Sequence, residues 1–441
     1  MISWNAARTI AVALASRTER APASDFDYQA AVEETLRPLS DFAGIELPRG
    51  ADAARRLVVA DRTEWIDFNI EGFGALMEPV LKRAASGAGD VTWALGGATL
   101  TAQMGLLLGF LSSRVLGQYD TGPLLSKQEI SGPGKVFLCG SGAEANEAAL
   151  KLTRRTGRTR VVAAEGSFHG RTMGALSLTA TRAYREPFEP LPGEVAFVPY
   201  GDVAALERAV DDRTAAVVLE PVQGEAGVVV PPSGYLRAAR ATTRRHGALL
   251  WLDEVQTGVG RTGHWFAHQA PDGPPVRPDV VTLAKGLGGG IPVGACIGLD
   301  GAADLLRPGH HGSTFGGNPV TAAAALATLG VIEDEDLLAH VRGTGEHLRA
   351  ALRDVGHPAV VEVRGAGLLV GTVLARGVAT AVSWSALDAG FIVNDCTPSV
   401  LRTTPPLVVR DEHVDGWVAA LPPLLDAAVQ TAVAAADEEA T

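Results

Sequence analysis

The stretch ALLWLDEVQTG, Ala248–Gly258, decides how this chain is read. Ala248–Leu252 is apolar without interruption and ends abruptly on Asp253-Glu254, followed by a Thr-Gly turn signal. A strand with one wet face alternates apolar and polar residues. An unbroken run is covered on both faces, as in a parallel sheet between helix layers. Six similar runs lie around it: Val136–Cys139, Arg160–Ala164, Val195–Tyr200, Ala215–Leu219, Val280–Leu283 and Val293–Leu299. Linkers such as Glu144–Thr156 and Gly234–His246 have the composition of helices. The pattern predicts an α/β fold: a large domain with a seven-stranded, mostly parallel sheet flanked by helices.

After Thr321 the chain turns Ala- and Leu-rich with helical spacing. Leu368–Leu374 then reads as a strand, Ala379–Ala389 as a short helix, and Arg402–Val409 as a strand or extended loop. That mixture implies a small α+β domain. The tail from Ala434 is acidic and rich in small residues, and is expected to fray. The expected division is 1–85, an N-terminal segment packing with the small domain; 86–322, the large domain; and 323–441, the small one.

Composition narrows the function. Lys plus Arg is 38 and Asp plus Glu is 50, a net charge of −12, and no dense basic block occurs. That field repels a phosphate backbone or an anionic membrane surface, so neither is an expected partner. Cys139, Cys296 and Cys396 are odd in number and far apart, with no CxxC pair; this suggests a reducing, cytoplasmic setting and no disulfide framework. The apolar run Ile10–Ala15 is too short for a secretory signal and Arg17 closes it. Val91–Ser113 carries no charge over a membrane-spanning length, but its glycines and hydroxyls favour a buried or interface helix. Val58–Phe68 has the form of a hairpin. Glycine, at 51 of 441 residues, is well above the average of about 7%.

In open parallel sheets ligands bind beyond the carboxyl ends of the strands. There each apolar run gives way to polar residues. Ser141, Gly142 and Ala143 open a helix after the first run, where bare N–H groups and the helix dipole favour a phosphate. Phe168, His169 and Arg171 come after the second, Glu220 and Glu225 after the fourth, Asp253 and Gln256 after the fifth, and Lys285 after the sixth. A lysine opposite a strand-end aspartate, near an anion cradle and an aromatic ring, is the set pyridoxal 5'-phosphate needs. The amine forms a Schiff base with the aldehyde, and the aspartate keeps the pyridine nitrogen protonated. Phe168 covers a ring face, Gln256 reaches the phenolic oxygen, and Lys285 moves the substrate proton. The loop Gly140–Ala145 also fits a G-x-G-x-x-A dinucleotide fingerprint with Glu165 as the ribose acid, leaving an NAD-dependent oxidoreductase as the alternative. His264 and His268 are four apart, but no HExxH surrounds them and no metal site is expected. Walker and G-x-S-x-G motifs are absent.

The stretches SGAEANEAALKLTRR (141–155), SFHGRT (167–172), LEPVQGEAGVVVPPSGYLR (219–237), LWLDEVQTGVGRTG (250–263), PDVVTLAKGLGGGIPVGA (278–295), GSTFGGNPV (312–320) and LRTTPPLVV (401–409) resemble the class III (subgroup II) aminotransferases of PLP fold type I. The likeness is greatest to acetylornithine and ornithine aminotransferases. The resemblance implies that Gly142 and Ala143 hold the phosphate, Asp253 pairs with the ring nitrogen, and Lys285 carries the cofactor. Thr314 would reach the phosphate in a neighbouring subunit, hence a homodimer with sites at the interface. Arg402 would bind a substrate α-carboxylate, Glu225 would pair with it when that carboxylate is absent, and Arg171 would hold the second carboxylate of glutamate or 2-oxoglutarate. The implied reaction moves an amino group by a ping-pong route between glutamate/2-oxoglutarate and an ω-amine or carbonyl compound. The departures lie at the substrate mouth: Glu71–Pro79, the uncharged Val91–Ser113, Gly140, and Thr403-Thr404. The unusual N-terminal third motivates a specialised-metabolite precursor with a more apolar group as an alternative to an acetylornithine-like substrate.

Overall fold

The computed structural model describes Ile66–Asp67, 134–270, 276–307 and 309–439. The seven apolar runs form seven strands of one sheet: β1 Gly134–Cys139, β2 Arg160–Ala164, β3 Glu194–Val198, β4 Thr214–Leu219, β5 Leu249–Asp253, β6 Val280–Leu283 and β7 Gly294–Leu299. Their order across the sheet is β1-β7-β6-β5-β4-β2-β3, with only β7 antiparallel to its neighbours. β4 and β6 are buried along their whole length, which is why their sequences show no alternation.

Helix α1, Gly142–Arg154, starts on Ser141, whose Oγ accepts from the Glu144 N–H at 3.2 Å. Glu144 in its first turn and Lys151 and Arg154 in its last complement the helix dipole. Its Ala145, Ala148, Ala149 and Leu152 are buried. Short helices α2 (Met173–Leu178), α3 (Arg182–Arg185) and α4 (Val203–Ala209) come next, and α5, Tyr235–His246, stops on Gly247 in the left-handed region.

Beyond β7, α6 (Pro319–Asp334) and α7 (Leu337–Asp354) lead into a second, four-stranded sheet. Its strands are β8 Val360–Ala366, β9 Leu369–Leu374, β10 Asn394–Thr397 and β11 Val400–Thr403, in the antiparallel order β10-β11-β9-β8. Helices α8 (Ala379–Asp388) and α9 (Asp411–Glu439) complete it. Val414, Trp417, Leu421, Leu425 and Ala428 form the buried stripe of α9, in one core with the small sheet. Helix α9 extends past Ala434, where the tail was expected to fray, to Glu439. The expected hairpin Val58–Phe68 lies outside the described residues except for Ile66–Asp67, which runs parallel to Phe391–Ile392. The uncharged stretch Val91–Ser113 and the turn at Glu71–Pro79 also lie outside them.

Candidate active site

The carboxyl ends of the central strands surround a cavity of about 500 Å³, the size of a small-cofactor site. Eleven of the thirteen residues expected from the sequence line it: Ser141, Gly142, Ala143, Phe168, His169, Arg171, Glu220, Glu225, Asp253, Gln256 and Lys285. Arg402 reaches it through a partner. Thr314 is exposed and not part of its wall.

At one end the first turn of α1 presents its backbone. A Cβ on Gly142 would lie 2.8 Å from Val255 Cγ1, so only glycine lets the turn sit this close. At the other end Asp253, 3% exposed, closes β5. Three donors converge on its carboxylate: Val255 N–H on Oδ1 at 3.0 Å, His169 Nδ1 on Oδ2 at 2.7 Å and Asn146 Nδ2 on Oδ2 at 2.8 Å. Asn146 also donates to the His169 carbonyl at 2.6 Å. This asparagine was not singled out from the sequence, although it sits inside SGAEANEAA. Its signal was a lone amide on the buried face of an alanine-rich helix, where a polar side chain must find partners.

Beside Asp253 stands Glu220, buried. Desolvation first, then the charge of Asp253, push its carboxyl well above the usual carboxylate range. Lys285 opens a short 3-10 turn directly after β6 with φ 46°. A non-glycine residue in the left-handed region is a strained backbone, here at the end of the strand where the amine must enter the cavity. Gly224 also lies against a site residue: a Cβ there would collide with the Gln256 amide.

The substrate-facing arginines have definite partners. Arg402, 7% exposed on β11, donates from Nη1 to Glu225 Oε1 at 2.7 Å and to Gln256 Oε1 at 3.4 Å. Burial would raise the Glu225 carboxyl, but the Arg402 guanidinium, with Lys285 and Gln256, more than offsets this and holds it below the usual range. Gln256, expected at a cofactor oxygen, is drawn into this cluster. Arg171 lies over the Tyr184 ring, 4.0 Å from its centroid, and Tyr184 in turn meets Phe168 edge-on at 6.4 Å. Tyr184 too escaped the sequence reading, since nothing local tells a tyrosine on a four-residue helix from a surface one.

Other expectations resolve by position. Glu165, the acid of the dinucleotide alternative, is exposed and does not line the cavity, so that alternative loses its ribose contact. His268 is fully buried with its Nδ1 2.8 Å from Glu254 Oε1, a packing partner. Among the described residues no cluster of three His, Cys, Asp or Glu is arranged to hold a metal. The Cys139 thiol is pushed up to about 12 by burial, which makes it inert.

The donor set fits pyridoxal phosphate. The glycine-bared helix start would take its phosphate, the triply hydrogen-bonded Asp253 would serve its ring nitrogen, and Lys285 opens the neighbouring strand end.

Comparison with known proteins agrees. The family model "Aminotransferase class-III" matches residues 110–425. The acetylornithine aminotransferase of Mycolicibacterium smegmatis is 59% identical over 296 residues, 67% of this chain and 75% of its own length. That of Streptomyces coelicolor is 58% identical over 305 residues, 69% and 75%. The ornithine aminotransferase of Toxoplasma gondii, solved with partial occupancy of PLP at its active site, superposes with TM-score 0.68 at 28% identity, covering 83% of this chain and 87% of that one. A second model, "Zincin-like metallopeptidase", matches residues 2–169. All ten histidines stand at or after residue 169, and the first cysteine is Cys139, so this stretch lacks the histidine pair from which such zinc sites are built. From the anion cradle to the buried Arg402, the site and the relatives point the same way: this chain belongs to the class III aminotransferases, whose cofactor is pyridoxal phosphate.

Proposed function

We propose that the enzyme transfers an amino group between glutamate/2-oxoglutarate and an ω-amine or its carbonyl counterpart. The observation that carries this reading is the Glu225–Arg402 pair, with Arg402 almost wholly buried. A buried guanidinium needs a carboxylate at all times. With glutamate bound, the substrate α-carboxylate serves, taken bidentately by the planar fork. With an ω-amine, whose reacting carbon bears no carboxylate, Glu225 serves instead. Arg171, held on the Tyr184 ring at the mouth, supplies the second cation that a dicarboxylate requires. An acetylornithine-like amine is supported by the relatives at 58–59% identity. A specialised-metabolite precursor with a more apolar group is the second reading, supported by the N-terminal sequence, where Glu71–Pro79 and Val91–Ser113 depart from the family pattern.

Pyridoxal phosphate, when bound, supplies an aldehyde that takes up the amino group and a ring that accepts the electron pair of the broken Cα–H bond. The chain does the rest. Ser141, Gly142 and Ala143 hold the phosphate, and Phe168 covers the ring. Asp253, fixed by His169 and Asn146, holds a proton at the ring nitrogen. Glu220, whose carboxyl is pushed up by burial and by the Asp253 charge, has its charged form disfavoured at that end. The Lys285 amine takes the proton from the substrate and returns it.

L-Glutamate added to the purified holoenzyme should shift the cofactor absorbance to its aminated form. Conversion by alanine but not glutamate would sink the Arg171 and Arg402 roles. Lys285→Ala should abolish turnover while the circular dichroism stays unchanged; activity retained in that variant would refute the role of the lysine. A cytoplasmic location is proposed from the cysteines, none of which is paired among the described residues. Recovery from the membrane or extracytoplasmic fraction of cells would overturn it.

A further inference from the structure

The loop that carries Glu225 is held to the small sheet by more than the Glu225–Arg402 pair. Gln223 and Val229 close it with two backbone hydrogen bonds, at 3.0 and 2.9 Å. Residues 224–228 therefore make a turn so tight that Gly227 takes φ 103° and Val228 φ 54°. A β-branched residue in the left-handed region is strained and persists only where its surroundings over-determine it. They do so here. Val228 is fully buried in one cluster with Val222 and Leu369 of β9. The Gly227 carbonyl accepts two hydrogen bonds from a single guanidinium, Arg364 Nε at 3.0 Å and Nη2 at 2.8 Å.

Arg364 and Arg402 stand in one cross-strand row. Gly371 of β9 is paired with Arg364 on β8 and with Arg402 on β11. Residues directly opposite in a sheet project to the same face. The glycine between the two arginines leaves room for the loop. A Cβ at Gly371 would lie 3.0 Å from Val228 Cβ and 3.1 Å from the Gly227 oxygen. The row is thus a seat with a bare floor and two cationic sides. One side takes the Glu225 carboxylate, the other the carbonyl two residues further on. Glu362 steadies Arg364 through Nη1 at 3.1 Å.

We propose that Arg364 is a positioning residue for Glu225. By fixing Gly227 to the small sheet, it sets how completely Glu225 covers Arg402, and with that the division between ω-amines and α-amino acids. Because the backbone beside Glu225 is clamped, release of Arg402 is a rotation of the Glu225 side chain and not a movement of its loop. The proposal rests on the masking role given to Glu225 above.

The test follows the two half-reactions of the holoenzyme separately, with L-glutamate and with 5-aminopentanoate as a plain ω-amine, in Arg364→Gln and Arg364→Lys. Losing the bidentate clamp should lower kcat/KM for the ω-amine about tenfold and change that for glutamate by less than about threefold. The lysine variant, with one donor left, should fall between. Hydrogen–deuterium exchange of residues 223–229 should quicken in the same order while that of β5 stays unchanged. Equal losses in both half-reactions, or unaltered exchange in 223–229, would overturn the proposal. Glu225→Gln separates the two readings. If it leaves the ratio of the half-reactions untouched, the masking role itself fails, whatever Arg364 does.

Discussion

At the scale of single residues, the site sets two carboxyl groups side by side in unlike surroundings. Asp253 receives three donors, whereas Glu220 is desolvated and repelled. The consequence for stability has a definite sign. The folded-state pKa of Glu220 lies above its free value of 4.5, so above that pH the folded protein keeps a proton that the unfolded chain releases. Its contribution is complete below pH 4.5 and is lost as pH rises towards the folded value. In cofactor-free enzyme, wild type should therefore lose stability relative to Glu220→Gln as pH rises from 4.5. The slope is limited to about 1.4 kcal/mol per pH unit for one proton. Urea denaturation across pH 4.5–8 reads it, and a pH-independent difference would mean that Glu220 is ionised. Asp253 and Lys285 were legible because each ends an apolar run, where a charge is conspicuous. Asn146 and Tyr184 were not, since their roles come from partners 107 and 13 residues away (Asp253 and Arg171).

Among the elements, β5 and β6 set the two proposed catalytic residues side by side, with Asp253 beside Thr282 and Lys285 three residues beyond it. The strands are tied by a buried side-chain bond as well as the ladder, Trp251 Nε1 donating to Thr282 Oγ1 at 3.1 Å. Thr282→Val keeps the shape and strands a buried indole N–H, at a cost of about 1–3 kcal/mol. Combining it with Trp251→Phe, which removes that N–H, should show a smaller penalty for the threonine change. Additive losses in thermal denaturation would mean that the bond contributes nothing. The strands of the large sheet were readable because their apolar runs are unbroken. In the small sheet the inner strand β9 was seen and β11 only in its last two residues, Arg402 and Thr403, while the outer β8 and β10 were missed. Edge strands are half-exposed and carry charges, here Glu362, Arg364 and Asp395, so no apolar run marks them. Arg364, the residue proposed to position Glu225, lies on one of them.

For the whole molecule, a homodimer is the arrangement that would account for Thr314. It is exposed, lies outside the cavity wall, and is followed by Phe315 at 68% exposure, an aromatic that a lone chain leaves in water. If a neighbouring subunit brings Thr314 to the phosphate, Thr314→Ala should weaken cofactor retention about tenfold without altering the fold, and sedimentation should show dimers. A fully active monomer would sink the idea. The N-terminal quarter has a different affinity: residues 1–109 lie outside the aminotransferase match, and all but the first of them inside the zincin-like one. This is also where the sequence departs from the aminotransferase pattern, at Glu71–Pro79 and across Val91–Ser113.

The sequence by itself determined the layered sheet, the cofactor and the residues that serve it. All are encoded locally, as unbroken apolar runs, glycines at a helix start and charges at strand ends. Only the tertiary structure decided the surroundings and pairings: that Glu220 is desolvated beside Asp253, that Glu225 already covers Arg402, and that Arg364 grips the loop between them. Those depend on burial and on contacts across 137 and 177 residues of chain, and no local pattern records a partner that far away.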